Sequence, residues 1–349
     1  MRAKILILTI LVTAISLIIA SSVLSDLNLP NLRLVFTSVV DKRPLIYVMD
    51  GVTEKARPKV LVDKLAKSYD PRWSPDGRYI AFTGVDGGAE RIYLVDMKTG
   101  RIRPLLDTHF GWEFNPRWSP DGSRIAFNIG RTGKGYNPDL YVFDLRRDKL
   151  TKVLENFSSY LLGWTPEGRK LCFQMRWADP SIYTVDAEVK NPIKLDVVRN
   201  VFDQLKQFDK LVTIPKSRWF WGISFSPDGT KVAVSAETFF KEEIYLVDLS
   251  LKKIEVLTGH LPGNKFEPRW SPDGKYIFFS ISDRNWGRGI SIVTPQGDPV
   301  GRLRLDDYIC GSGFDLLDVR LAFPVAASAE LKGMTWGEVK IQTMNRRGF

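Results

Sequence analysis

Two histidines, His109 and His260, and two cysteines, Cys172 and Cys310, are the only imidazole and thiol side chains in these 349 residues. A histidine-based metal site needs several ligands converging on one ion, and two histidines three repeats apart do not supply them. Gly-x-Ser-x-Gly, His-Glu-x-x-His and phosphate-cradling glycine loops are absent, and Gly311-Ser312-Gly313 reads as strand. The expectation is therefore a protein with no catalytic residue, no metal ligand and no cofactor. Cys172 and Cys310 fall in strands of different repeats, too far apart to bridge, and read as buried free thiols. Two other polar sets recur. Asp76, Asp121, Asp228 and Asp273 have the composition of calcium ligands, but each stands in a Pro-Asp-Gly turn, where an Asp carboxylate is already occupied by amides ahead of it. Arg72, Arg117 and Arg269 stand in Pro-Arg-Trp triplets. They would ring a channel and hold an anion, or else point into neighbouring layers as part of the repeat.

These residues recur because the segment PRWSPDGRYIAFTG, starting at Pro71, recurs. Trp-Ser-Pro-Asp-Gly appears at Trp73, Trp118 and Trp270; looser copies stand at Trp164 and Phe225, and a degraded one at Phe314. Most copies are separated by about 45 residues, the period of β-propeller blades built from short strands. One longer spacing, after Trp164, marks an insertion. Each unit reads as an inner strand ending at the aromatic, a tight turn, and an alternating second strand. That second strand carries the pairs Ile80/Phe82, Ile125/Phe127, Leu171/Phe173, Val232/Val234, Ile277/Phe279 and Leu321/Phe323. A third strand of the form Ile-Tyr-x-x-Asp and a weaker outer strand complete the unit. The second and third strands occur together seven times, counting LRLVFTS with IYVMD before the first turn and RLAFPVA with EVKIQTM after the last. The prediction is an all-β propeller of seven four-stranded blades, with a six-bladed ring plus a spare terminal hairpin as the alternative.

These motifs resemble the TolB-type, WD-like propeller repeat, and FSISDRNWGRGISIV, from Phe279, resembles that family's loop between second and third strands. The resemblance covers roughly Leu32 to Met344. It implies the propeller fold and an exported envelope protein, but leaves function broad, because the repeat also occurs in peptidase and polysaccharide-lyase propellers. The lyases use histidine-rich metal sites, which this sequence does not match. No segment resembles the separate α/β domain that TolB itself carries, which implies a protein other than a direct TolB equivalent.

The chain begins with Arg2 and Lys4 before an uncharged run from Ile5 to Leu24, the pattern of an export signal and long enough to span a bilayer. Residues 1–25 are read as a signal peptide or N-terminal membrane anchor, and 26–349 as a propeller in the periplasm or at the cell surface. Membrane contact would run through the N-terminal segment if it is uncleaved. The net charge of +10 is interspersed along the sequence, as on a solubilising surface, and no basic stripe points to nucleic acid.

The residues that break the repeat carry the functional expectation. Loops joining outer to inner strands and second to third strands emerge at the same end of a propeller. Collected there are Phe110, Trp112, Trp177, Trp219, Phe220, Phe239, Phe240 and Trp286, interleaved with Arg131, Arg176, Arg284 and Arg288. Aromatics with arginine are what binding surfaces enrich. The insertion adds a predicted helix over 196–212, with Asp196 as N-cap and Val198, Val201, Phe202, Leu205, Phe208 and Leu211 at helical spacing. The reading is a non-catalytic binding or scaffold propeller of the cell envelope that recognises a protein or a glycan through this loop face. The alternatives are a propeller-type polysaccharide lyase or hydrolase, and a purely structural envelope component.

Overall fold

The computed structural model describes residues 29–40, 42–53, 56–107, 111–130, 138–155, 159–175, 179–195, 203, 205–239, 241–284, 287–304 and 313–319. The second strands carry continuous buried runs, as at Ile80, Ala81 and Phe82, and so bury residues on both faces, which requires the sheets to stack on one another. Blade 1 combines β1 (Leu29–Val40), β2 (Arg43–Val52) and β3 (Lys59–Val62) with β25 (Phe314–Asp318) as its inner strand. Blade 2 runs from β4 (Lys67–Trp73) through β5 (Tyr79–Asp86) and β6 (Ala89–Asp96) to β7 (Ile102–Pro104). Blade 3 holds β8 (Trp112–Trp118), β9 (Arg124–Gly130), β10 (Asp139–Asp144) and β11 (Lys149–Glu155), with the two-residue β15 (Ile193–Lys194) added in parallel at its outer edge. Blade 4 holds β12 (Ser159–Trp164), β13 (Lys170–Met175), β14 (Ser181–Asp186) and β16 (Asp209–Thr213). Blade 5 holds β17 (Ser217–Phe225), β18 (Lys231–Thr238), β19 (Lys241–Asp248) and β20 (Lys253–Val256). Blade 6 holds β21 (Asn264–Trp270), β22 (Ile277–Asp283), β23 (Gly287–Val293) and β24 (Pro299–Arg304).

The ring has six blades, which corrects the expectation of seven. The strand FDLLD does not open a seventh unit: it is β25, paired antiparallel with β1 from Leu32↔Asp318 to Phe36↔Phe314. The N-terminal blade thus takes its inner strand from late in the chain, and the inner strands contact one another in a closed circuit β25, β4, β8, β12, β17, β21. Counting middle strands overcounted the blades, because the number of inner strands decides closure. The seventh pair, RLAFPVA and EVKIQTM, falls wholly in 320–349, outside the described residues.

Each junction carries its own hydrophobic cluster. Ile80 and Phe82 of blade 2 pack on Val35, Ile46 and Val48 of blade 1, while Ala81, on the opposite face, packs on Ile125 and Phe127 of blade 3. The same arrangement repeats around the ring to Phe278, Ile290 and Ile292 of blade 6 against Leu34, Phe36 and Met49 of blade 1. Trp73, Trp164 and Trp270 are buried at equivalent positions; Trp118 is partly buried, and its indole N–H donates to the Arg72 carbonyl of the preceding blade at 3.2 Å. Trp164 repeats this bond to the Arg117 carbonyl at 2.9 Å. Cys172 is a buried free thiol between blades 4 and 5, and burial pushes its pKa up. Cys310 lies outside the described residues.

The Ser-Pro-Asp-Gly turns are satisfied internally. In the first, Ser74 Oγ donates to Asp76 Oδ1 at 2.5 Å, the Arg78 amide donates to the same oxygen at 3.0 Å, and Gly77 closes the turn at φ 69°. Asp121, Asp228 and Asp273 repeat the Ser and amide bonds. These aspartates are turn formers.

The helix expected over 196–212 is also corrected. Residues 196–202 and 204 are outside the described residues, 205–208 form a single turn, and Asp209–Thr213 is β16, paired with β14 (Ser181↔Thr213, Thr184↔Asp209). The insertion therefore lies inside blade 4, before its fourth strand, and not between blades. The apolar spacing has another cause: Leu205 and Phe208 fill the cluster between blades 3 and 4, with Phe208 edge-on to Phe173 at 5.1 Å, while Val212 packs between blades 4 and 5.

Candidate binding site at the channel mouth

Strand register fixes which loops share an end. Lys67 pairs with Val85, Trp112 with Gly130, Ser217 with Thr238 and Asn264 with Ser282. The starts of the inner strands thus abut the hairpins between second and third strands, and the Ser-Pro-Asp-Gly turns lie at the opposite end.

Three inner strands share a motif one step longer than Pro-Arg-Trp: Tyr69-Asp70-Pro71-Arg72-Trp73, Phe114-Asn115-Pro116-Arg117-Trp118 and Phe266-Glu267-Pro268-Arg269-Trp270. In each, the ladder slips between the aromatic and the arginine. The polar residue sits in the left-handed region, at φ 56° for Asp70, 62° for Asn115 and 49° for Glu267. That conformation costs a non-glycine residue on the order of 1 kcal/mol or more. The following proline has no N–H, so the bulge strands no donor there. All three polar residues line a cavity of about 290 Å³ at the mouth of the central channel.

Beneath them lies an ionic layer. Arg72 is buried and reaches Asp70 at 2.5 Å and Glu267 at 3.7 Å; its Nη1 also donates to the Phe314 carbonyl at 3.1 Å. Arg117 bonds Asp70 at 3.2 Å, and Arg269 stands 3.5 Å from Asp315. The three arginines do line the channel, but carboxylates from other blades already neutralise them, so they do not form an open anion ring. Burial lowers the Arg117 pKa to about 10, with Arg72 pushing the same way and Asp70 opposing. Burial raises the Glu267 carboxyl above its usual range against the pull of Arg72 and Arg269. A second cavity of about 220 Å³, lined by Arg72, Arg117, Arg269 and Asp315, continues below the layer towards the turn end.

Blades 4 and 5 lack the motif, and the channel is lopsided as a result. Where blades 2, 3 and 6 place Asp, Asn or Glu and Arg, these blades place Leu161 and Gly163, and Gly222 and Ser224. A Cβ on Gly222 would come within 3.2 Å of the Glu267 backbone, so glycine there lets the two inner strands approach. Above this wall runs an aromatic chain: Tyr160 to Trp219 (5.4 Å, 81°), Trp219 to Trp221 (6.2 Å, 65°) and Trp221 to Phe266 (5.7 Å, 85°). Edge-to-face contacts of this kind hold rings in fixed orientation. Tyr160 and Trp221 remain exposed. Across the mouth, the Tyr69 hydroxyl donates to Glu90 at 2.5 Å.

Of the residues expected on the loop face, Trp219 joins this aromatic chain. Trp112 begins β8 at the same end and is 45% exposed. Phe239 is exposed on the β18–β19 hairpin, with Lys216 5.5 Å above its ring. Arg284 and Arg288 are exposed at the β22–β23 hairpin. Phe220, by contrast, is fully buried between blades 4 and 5. Phe110, Arg131, Arg176, Trp177, Phe240, Trp286 and His109 lie outside the described residues. Sequence reasoning missed Tyr69, Asp70, Phe114, Asn115, Tyr160, Trp221, Phe266 and Glu267. Six of these are the aromatic-polar pair before Pro-Arg-Trp, whose threefold recurrence was the available signal.

Fold and channel together define a six-bladed β-propeller closed by strands from both parts of the chain, with a polar, aromatic-rimmed axial mouth. The TolB beta propeller domain family matches residues 31–203, and the repeats place the chain among the TolB-type propellers. The crystal structure of TolB from Acinetobacter baumannii superposes with a TM-score of 0.63 at 20% identity, covering 81% of this chain and 66% of that one. This chain thus spans slightly less than two thirds of that protein. The structure of a putative TolB from Agrobacterium tumefaciens gives 0.57 at 18% identity, covering 84% and 98%. An oligogalacturonate lyase in complex with manganese gives 0.54 at 14%, covering 84% and 78%. At these identities the likeness is one of fold. Among the described residues of this chain no group of three or more His, Cys, Asp or Glu is placed to hold a metal ion.

Proposed function

We propose that this protein is an exported, non-catalytic binding propeller of the cell envelope that captures a segment of a partner protein at the channel mouth. The observation that carries the reading is the unbroken edge-to-face chain Tyr160–Trp219–Trp221–Phe266 bordering the 290 Å³ cavity. Rings of this size are the usual anchors of protein recognition, and they are already ordered, so binding spends little side-chain entropy on them. A protein segment suits the mouth better than a glycan. Each ring meets the next edge-on, which leaves notches for inserted side chains and no flat platform for a sugar. The kinship with TolB propellers supports the envelope location, and the charged and apolar start of the chain supports export. The arginines that a catalytic channel would turn towards substrate are engaged with Asp70, Glu267 and Asp315, which supports a binding role.

The test is capture from envelope extracts by the wild-type protein and by Trp221→Ala and Tyr160→Ala. The reading expects a partner that is retained by the wild type and lost by both variants, with circular dichroism unchanged. Undiminished capture by folded variants would move the site elsewhere; specific elution by an oligosaccharide would replace the protein partner with a glycan.

A further inference from the structure

We infer that the mouth selects a basic side chain, the ammonium or guanidinium of a lysine or arginine carried by the partner segment. This rests on the preceding reading that a protein segment enters the mouth. Three carboxylates, Asp70, Glu90 and Glu267, line the 290 Å³ cavity against a single guanidinium, that of Arg117. Asp70 is paired below with Arg72 and Arg117, and one side of Glu267 with Arg72, so the acidic character open to the cavity comes from Glu90 and the other side of Glu267. Glu267 is 5% exposed, and while one of its oxygens faces Arg72 at 3.7 Å, the other, Oε2, is buried without a hydrogen-bond partner among the described residues. A buried carboxylate oxygen left unpaired is costly, and a ligand N–H donor would satisfy it. Arg72 is held by Asp70 on the other side, so it does not fill that place.

The walls fit the same chemistry. Tyr69, Phe114, Tyr160 and Trp221 surround the carboxylates, and a cation beside aromatic rings is attracted by their quadrupoles, the more strongly where water is excluded. The hydrocarbon stem of lysine or arginine would lie along Leu161 and Leu162 with its charged end at Glu267. A neutral alcohol would gain only the apolar contacts, and an anion would meet three carboxylates.

The experiment uses the full chain and four small probes at equal ionic strength: n-butylammonium, methylguanidinium, n-butanol and butyrate. Binding is read from tryptophan fluorescence, with Trp221→Ala as the control that removes the reporter. Saturable binding by the two cations is expected, about tenfold or more tighter than butanol, with none by butyrate. Glu267→Gln should weaken the cations about tenfold and leave butanol unchanged. Equal binding of butanol, preference for butyrate, or cation binding unaltered in Glu267→Gln would each overturn the inference. If Glu267→Gln does not fold, the ranking of the four probes on the wild type decides alone. Competition separates this inference from the reading beneath it. A partner lost in Trp221→Ala but not displaced by n-butylammonium leaves the mouth as the binding site and removes the basic side chain. A partner retained by Trp221→Ala removes the mouth itself.

Discussion

The two ends of this propeller are made from the same inner strands and follow opposite rules. At the turn end, four aspartates in four blades make the same bonds to a serine hydroxyl and an amide two residues ahead. At the mouth end, equivalent positions carry Asp70, Asn115, Leu161, Gly222 and Glu267, and one oxygen of Glu267 has no hydrogen-bond partner among the described residues. Where every blade solves the same local problem, the repeat is architecture. Where blades differ and polar groups are held strained or unpaired, the variation fits the binding role proposed for the mouth.

The largest effects should come from the architecture. Trp73→Ala, at a site 4% exposed between blades 1 and 2, should cost about 3–5 kcal/mol in denaturant unfolding. A change under about 1 kcal/mol would mean that the Trp positions do not carry the blade junctions. Arg72→Met should be similarly severe, about 3–5 kcal/mol, because it leaves Asp70 and Glu267 buried without their shared cation. A neutral outcome would show that the ionic layer is hydrated and weak.

Trp221→Ala should do the reverse. This partly exposed ring should leave stability within about 1 kcal/mol yet weaken partner binding by about 2 kcal/mol, roughly thirtyfold. Loss of both together would erase the distinction between the ends.

The smallest effect separates them by pH. At the turn end, burial would raise the Asp121 carboxyl, but bonds from Ser119 and Ser123 outweigh it and hold the pKa at about 2 against the ordinary 3.8. Its stabilisation is therefore present above pH 3.8 and lost as pH falls towards 2. At the mouth, the Glu267 pKa is raised from 4.5 by burial, so its contribution weakens as pH rises above 4.5. Asp121→Asn should flatten the acid limb of the stability curve, and Glu267→Gln should stabilise the protein at neutral pH. Thermal melts from pH 2 to 8 would show both; opposite signs would mean that the two environments have been misassigned.

The sequence disclosed the turn end well and the mouth poorly, for a physical reason. Ser-Pro-Asp-Gly is a local device whose bonds span five residues, so Trp73, Asp76 and Phe82 announce their roles without the fold. Blade number depends on which strand pairs with β1, a contact between Phe36 and Phe314 that no local pattern reveals. The insertion misled because Leu205, Phe208 and Val212 have helical spacing yet fill blade clusters around a turn and a strand. At the mouth, Trp219 was recognised as a loop aromatic. Phe220, its neighbour, was not distinguishable from it by sequence alone, since alternation in β17 turns one outward and the other into the core. Glu267 was hidden because its left-handed bulge, and not its position in the motif, aims it at the axis.

The most direct test of the division between the two ends is site-specific photo-crosslinking. A photoreactive phenylalanine analogue at Tyr160, on the mouth, is compared with one at Lys275, beside a turn at the opposite end, in protein exposed to native envelope extract. A discrete adduct from position 160 that is absent from position 275, and suppressed by Trp221→Ala, is the predicted result. Adducts from position 275 alone would contradict the account, because they would place the partner on the surface assigned here to architecture.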